Sequence, residues 1–436
     1  MSRIVVPDNS RSAADLTEDE LSELAPFAGV KLGELAARQK GLWVFPQGIG
    51  EDGDGIGEET LFEIEGKKFA AGNVVGFFGV GDVSVQIRSR FDEGAGQYFF
   101  HYMLKKVLGM NMVKMMATSD EESVWDWLVY LFPYVLKRAM AQGMYRTYRW
   151  RERNDARVRG AIDIGRFIRE DIPFGGAVAY RTREYTANNA LNHLVRHTIE
   201  FIRGGRAAHI LEEDAEVRAG VSRIVEATGD YVRGARRKVM MENLREVRHP
   251  YLTEVTNLQR LCLQILRGEK MSFGEDEERV RGILFDAAWL WEEYLAKVLG
   301  PLGIEHPQNK TGKRPHWLYE GKKQRIYPDF VGEDFVLDAK YKRGEICRED
   351  RFQLISYLHV MKAGVGILVY PFAGDAGAGL EWEGELNGWG GKIGAYRFGV
   401  PKGAADFVAF EGAMRSAEVE FGNFAAGDCK LGGNMV

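Results

Sequence analysis

Residues 42–47, LWVFPQ, and 60–91, TLFEIEGKKFAAGNVVGFFGVGDVSVQIRSRF, alternate apolar and polar positions between glycine-bearing turns. A period of two is that of a strand, whose successive side chains leave opposite faces, so this stretch predicts antiparallel β-structure. The spacing changes to a helical one in QYFFHYMLKKVLGM, residues 97–110. Ahead of these strands, Thr17-x-x-Glu20 is a capping box that opens a short helix. The cap SDEE precedes VWDWLVYLFPYVLKRAMAQG, residues 124–143, and predicts a long helix interrupted near Pro133 and stopped at Gly143. An arginine-rich connection, MYRTYRWRERNDARVRGAIDIGRFIRE, then spans residues 144–170. Helical pattern resumes in TANNALNHLVRHTIEFIRGG, residues 186–205, and continues through 211–270 with a charged break at 267–282.

From Leu284 the pattern alters again. FDAAWLWEEYLAKVLG (285–300) is a helix, RIYPDFV and FVLDAKYK are strands, DRFQLISYLHVMKAG (350–364) is a helix and VGILVYP (365–371) is a strand. The glycine-rich tail predicts hairpins around GLEWEGELNG and GKIGAYRFGV. The chain therefore reads as an α+β multidomain protein: a β-rich domain over 1–110 suited to partner docking, and a mainly helical, arginine-rich region over 111–279. An α/β domain over 280–372 and an extension over 373–436 complete it.

At 436 residues the chain is too long for one core, and its 45% apolar and 28% charged residues are those of an ordinary globular protein. A net charge of −5 excludes a uniformly basic coat for nucleic acid but leaves room for a local basic surface. Three scattered cysteines, Cys262, Cys347 and Cys429, exclude a disulfide scaffold or zinc ribbon. The first residues lack the apolar core of a signal peptide and no window holds 18 uninterrupted apolar residues, so a cytoplasmic protein without membrane association is expected.

Charge inside an otherwise buried β pattern is costly, and residues 325–342, RIYPDFVGEDFVLDAKYK, hold a concentration of it. The strand period sends Asp338, Lys340 and Lys342 to one face, and the short Gly332-Glu333-Asp334 turn brings Asp329 alongside Asp338. Two neighbouring carboxylates repel unless a cation lies between them, and Mg²⁺ (with Mn²⁺ the alternative) prefers such oxygen ligands. Asp329 and Asp338 are therefore the candidate metal ligands. Lys340 beside them can orient a water and stabilise charge developing on phosphorus. Glu292, on the preceding helix, is an additional catalytic acid within reach. Gln353 and Tyr357, four apart on one face of the following helix, suit contacts to the attacking water and the substrate. Residues 310–325, KTGKRPHWLYEGKKQR, carry six basic residues against one acid with Trp317 and Tyr319 interleaved. That makes Lys313, Arg314 and Arg325, with Lys342, candidate phosphate contacts.

Pro328-Asp329, Asp338-Ala339-Lys340 and Gln353-x-x-x-Tyr357 together resemble the PD-(D/E)xK nuclease superfamily. The run PDF…VLDAKYK…DRFQLISYL is similar to the McrC family, the nuclease subunit of McrBC-type restriction systems directed at modified DNA. GVGDVSVQIRSRF (79–91), VRGAIDIGRFI (158–168) and REYTANNALNHLVRHTIEFI (183–202) extend the similarity, which covers about residues 70 to 372. The resemblance implies a restriction-endonuclease-like fold for 280–372 and a Mg²⁺-dependent DNA endonuclease. Asp329 and Asp338 would hold the metal and Lys340 would be the catalytic lysine. It also implies an AAA+ GTPase partner of the McrB type, whose hydrolysis the chain stimulates. In agreement, no GxxxxGK[ST] phosphate loop occurs in the sequence. The alternatives are an assembly factor that holds DNA and activates an NTPase without cutting, or a stand-alone repair nuclease.

Other signals are weaker. EDGDGIGEETLFE offers Asp52, Asp54, Gly57, Thr60 and Glu63 at calcium-loop positions, but Ile56 stands where a ligand is needed and the flanks read as strand. His193 and His197 share a helix face without a third ligand in sight, so a structural role is the default. The arginines of 146–169 fit a solvated basic loop as well as they fit a DNA or partner surface.

Overall fold

The computed structural model describes residues 2–46, 59–92, 96–110, 124–268, 280–307, 316–344, 346–374, 377–388 and 390–427. The chain forms two compact units, one made of Met1–Val124 with Ser272–Val436 and the other of Trp125–Met271.

The first unit begins with β1 (Ser2–Pro7), helices α1 (Glu18–Leu24) and α2 (Leu32–Arg38), and β2 (Leu42–Phe45). Thr17 and Glu20 close the predicted capping box on α1. β3 (Phe62–Glu65) and β4 (Lys68–Ala71) form a hairpin, as do β5 (Val74–Val80) and β6 (Val83–Arg88). Helix α3 follows at Tyr98–Leu108. β3 and β4 stay a separate two-stranded sheet, while the others build a sheet of order β1-β6-β5-β10-β2, completed by β10 (Val280–Asp286), which returns from far along the chain to lie between β5 and β2. Two glycines permit that close pairing. A Cβ on Gly76 would stand 2.2 Å from the Ile283 carbonyl oxygen, and one on Gly282 would stand 2.3 Å from that of Phe77. Leu24, Leu32, Phe62, Phe69, Phe78, Val85 and Leu284 are among the residues closing the core of this half.

The second unit opens with α4 (Val124–Gln142). Here the structure corrects the expected interruption: Pro133 lies inside an unbroken helix. A proline costs an interior helix one hydrogen bond, but Leu131, Phe132, Val135 and Leu136 around it are all buried, and that burial outweighs the loss. The arginine-rich segment is likewise no loop. It forms β7 (Thr147–Asp155), β8 (Ala161–Ile162) and α5 (Ile164–Glu170), and with β9 (Val178–Thr186) makes an antiparallel sheet of order β7-β9-β8. The region is thus less helical than its sequence suggests. Its arginines are largely paired, Arg153 with Glu184 at 2.5 Å and Arg181 with Asp163 at 2.6 Å. Around α6 (Ala190–Arg203) pack α7 (Ala215–Ala227), α8 (Arg236–Glu242) and α9 (Glu254–Arg267). His193 is engaged by Asn188 at 2.7 Å and Asp230 at 3.0 Å, and His197 is buried against Tyr231, so both histidines brace the bundle. In the calcium-loop candidate, residues 52–58 lie outside the described residues and Glu63 sits in strand β3.

The rest of the first unit carries α10 (Ala287–Leu299), β11 (His316–Trp317), β12 (Arg325–Ile326), β13 (Phe330–Val331), β14 (Phe335–Ala339), α11 (Arg348–Met361), β15 (Val365–Ala373), β16 (Gly379–Glu385), β17 (Lys392–Val400) and α12 (Phe407–Ala426). A second sheet runs β13-β14-β15-β17-β16, with β14, β15 and β17 mutually parallel. The predicted tail hairpin forms as β16 and β17, but the sheet does not end near residue 372: β17 lies directly beside β15. Likewise β10 belongs to the first sheet, so residues 280–286 are shared with the amino-terminal half instead of opening a separate domain. One face of the second sheet is covered by α11 over Leu354, Leu358, Leu368, Tyr370 and Ile393. On the other, Trp291 and Tyr294 of α10 meet Phe398, which also meets Phe421 of α12.

Trp291 is fully buried, packs on Phe99, Tyr294 and Phe398, and donates its indole N–H to the Val369 carbonyl at 3.3 Å. Trp291→Ala is expected to destabilise the protein by about 3–5 kcal/mol through the cavity it leaves. The midpoint of urea unfolding would show this, and an unchanged midpoint would contradict the packing described.

Candidate active site

The antiparallel register of β13 on β14 pairs Phe330 with Leu337 and Val331 with Val336. One step further along, the register sets Asp329 opposite Asp338, as the short turn between them predicts. The Asp329 carboxylate turns toward β14 and accepts a hydrogen bond from the Ala339 N–H at 2.8 Å. Asp338 is only 1% exposed, beneath α11, and the Lys340 ammonium on the same face lies 2.8 Å from its Oδ2. Asp329, Asp338 and Lys340 are therefore brought together, each by a different device: a hairpin register, the strand period, and a helix laid across both.

Helix α11 fixes the lysine. Lys340 Nζ donates to Gln353 Oε1 at 2.8 Å, Gln353 Nε2 donates to the Tyr357 hydroxyl at 2.6 Å, and that hydroxyl donates to the Tyr327 carbonyl at 2.9 Å. An ammonium has no acceptor, so it determines which way the Gln353 amide faces and hence the direction of every donor in the chain. Tyr357 was expected at the substrate. It is buried with its hydroxyl engaged in this chain, and it positions Gln353.

Burial raises the Asp338 carboxyl to about 7, and the negative charge of Asp329 adds to the effect, while Lys340 opposes it. For Lys340, burial works against the ammonium, but Asp338, Asp329 and Asp350 more than offset it and hold the group above its ordinary range. Lys340 is thus a fixed positive charge suited to stabilising an anion, and poorly suited to taking up a proton.

Glu292 is buried on α10 and reaches the site through His306, a residue outside every motif in the sequence. The His306 ring donates through Nδ1 to the Asp329 carbonyl at 2.8 Å and stacks on Phe330. Its Nε2 lies 3.8 Å from both Glu292 and Glu293. Burial opposes the imidazolium, but Glu293, the Asp329 carbonyl and Glu292 raise it to about 9. No motif spacing marks a lone histidine in an irregular segment, which is why only the folded chain identifies it.

The remaining candidates are not gathered here. Lys342 pairs with Asp350 at the start of α11. Arg325 stacks its guanidinium over Trp317 at 5.4 Å on the β11–β12 hairpin. Lys313 and Arg314 lie outside the described residues.

Among the described residues no three His, Cys, Asp or Glu side chains cluster closely enough to enclose an ion. Two carboxylates do converge, both beside a single ammonium. A donor set of that kind fits a hard dication that fills its other positions with water or substrate oxygen, and does not fit a thiophilic metal.

The titration of Asp338 has a defined sign. Its folded pKa lies above the unfolded value of 3.8, so the stability that protonation gives is full below that value and is lost as pH rises through about 7. In metal-free buffer, Asp338→Asn is expected to raise the melting temperature over wild type at pH 8, with a smaller gain at pH 5. Equal gains at both pH values would exclude a buried, charge-stressed carboxylate.

None of the curated proteins compared matches the chain. Among solved structures, a half-complex of Thermococcus gammatolerans McrB AAA+ hexamers with bound McrC contains a chain of the same fold. The match has a TM-score of 0.53 at 18% identity and covers 95% of this chain and 99% of that one. A chain of the McrBC complex from the same organism matches with a TM-score of 0.35 at 16% identity, over 69% of this chain and 87% of that one. The family model described as McrBC 5-methylcytosine restriction system component matches residues 69–371, more than half the sequence. The chain belongs to this McrBC component family.

Proposed function

We propose that the protein is the Mg²⁺-dependent DNA endonuclease subunit of a McrBC-type restriction system, with a PD-(D/E)xK centre at Asp329, Asp338 and Lys340. The observation that carries this reading is the convergence of two carboxylates and one lysine on a single sheet face, with one of the carboxylates buried. Asp329 and Asp338 would hold the cation. When bound, Mg²⁺ supplies Lewis acidity to a phosphoryl oxygen and lowers the pKa of a coordinated water.

The chain's own residues supply the rest. Lys340, kept cationic by its carboxylate neighbours, stabilises negative charge developing on the phosphorus. Gln353 and Tyr357 hold the ammonium in one place, so little reorganisation is needed as that charge appears. Glu292, tied to Asp329 through His306, is the additional acid, and it acts on the ligand set through that histidine. The partner would be an AAA+ GTPase of the McrB type, as in the assembly of McrB hexamers with bound McrC that contains a chain of this fold, and its GTP hydrolysis would be stimulated by this chain.

Asp338→Ala and Lys340→Ala are expected to reduce cleavage of methylated plasmid by at least about 10³-fold in the presence of partner, GTP and Mg²⁺, because each removes a charge on which the step depends. Gln353→Ala is expected to lose less, roughly 10–10² fold, since it misplaces the lysine without removing it. Far-ultraviolet circular dichroism would establish that each variant is folded. Wild-type cutting by a folded Asp338→Ala protein would refute the assignment. If no variant or wild-type protein cuts under any condition while partner GTPase is stimulated, the chain is an assembly factor instead.

A further inference from the structure

Beside the candidate centre the sheet carries a second feature that none of the cleavage residues occupies. In the parallel register of β14, β15 and β17, Asp338 stands next to Leu368, and Tyr370 next to Arg397. The Lys340 N–H bonds to the Val369 carbonyl, so the register continues past the end of β14 and sets Lys340 beside Tyr370. Lys340, Tyr370 and Arg397 thus form one row across three strands on the face that α11 partly covers. With strands roughly 4.8 Å apart, Arg397 stands about 10 Å from the lysine.

At the far end of this row opens a cleft of about 540 Å³, lined by Phe91, Arg343, Tyr370, Phe372, Arg397 and Lys402, with Gly344, Pro371 and Ala373. Its described lining holds three cations and no carboxylate. The cations are placed, not loose. Arg343 donates to the Arg90 carbonyl and lies over the Phe91 ring at 5.9 Å. Arg397 donates to the Tyr370 hydroxyl at 3.2 Å and lies over Phe372 at 5.8 Å, while Glu381 pairs with its outer edge. The backbone behind Arg343 is itself anchored, since Tyr341 is buried on Phe91 and its hydroxyl meets that of Ser89 at 2.7 Å. Guanidinium groups fixed over aromatic rings present their remaining N–H donors in a set direction, which suits phosphate oxygens.

We infer that this cleft is a second phosphate subsite for the polynucleotide strand whose scissile bond lies at Lys340. Arg343, Arg397 and Lys402 take a neighbouring phosphate, and Phe91 and Phe372 hold the two guanidinium groups in place for it. The inference rests on the nuclease reading for the direction of the strand, and on the cleft alone for the binding. The subsite sets the register of the strand against Asp338, so its loss weakens binding without touching the reacting groups.

The test uses the full-length protein in EDTA and a fluorescent single-stranded oligonucleotide followed by anisotropy across a salt series. The double variant Arg343→Ala/Lys402→Ala is expected to bind roughly tenfold more weakly, with a salt slope shallower by up to roughly 0.7, for one phosphate no longer neutralised. Arg343→Lys/Lys402→Arg should retain most of the affinity. Wild-type affinity and slope in the double alanine variant would overturn the inference. So would binding of free GTP that depends on Arg343 and Lys402 while oligonucleotide binding does not. The two readings separate in the same experiment. A protein that cuts with Mg²⁺ and binds independently of Arg343 and Lys402 loses the subsite alone. A protein that never cuts but binds through them loses the nuclease reading alone.

Discussion

A carboxylate shut away beneath a helix, with a second carboxylate beside it, is the constraint around which this half of the molecule is organised. Asp338 is 1% exposed and close enough to Asp329 for the two charges to raise its pKa. A buried charge without a partner destabilises a fold severely, whereas one paired and hydrogen-bonded can be tolerated. Lys340 is the partner, and the hydrogen-bond chain through Gln353, Tyr357 and the Tyr327 carbonyl keeps it from turning away. Even so the balance is uneven: one ammonium, Lys340, is shared among Asp338, Asp329 and Asp350.

That arrangement survives because its frame is rigid. Asp338 stands near the end of interior strand β14, and Lys340, one residue past that end, is still held to β15 through its N–H, so their separation is set by the extended backbone. The helix that covers them is joined to the sheet through Leu354, Leu358 and Leu368. Below, Trp291 ties α10 to β15 through its indole N–H, and places Glu292 on the next residue of the same helix. From the other sheet, the Ser89–Phe91 segment grips Tyr341 and Arg343 just past the lysine. The charged cleft and the charged pair are thus two consequences of one piece of backbone, residues 338 to 343, held from both sides.

The chain leaves this unit after residue 124 and returns near 272, where Val280–Asp286 enters between two strands laid down long before. The intervening unit has its own core around α6 and its own small sheet, in which arginines and glutamates are matched across neighbouring strands. An excursion of this kind adds little closure entropy, because that cost grows only with the logarithm of loop length.

What the sequence determined by itself follows from periodicity and local chemistry. The alternation in FVLDAKYK placed Asp338 and Lys340 on one face, the short turn ahead of it brought Asp329 opposite, and the spacing of Gln353 and Tyr357 put both on one side of their helix; the structure has all three features. Tertiary structure decided what depends on partners distant in the chain. The proline-containing helix is continuous because buried neighbours outweigh a lost hydrogen bond, and no local rule can weigh that. The arginine-rich segment is a strand with both faces largely exposed, so it lacks the apolar alternation by which strands are recognised. Lys342 and Tyr357 turned inward to Asp350 and Gln353, and His306 joined the site from an irregular segment, since a polar side chain's partner is chosen by the fold. The pairing of β17 with β15 came from parallel contacts that leave no mark in either strand, and with it came Arg397 beside Tyr370.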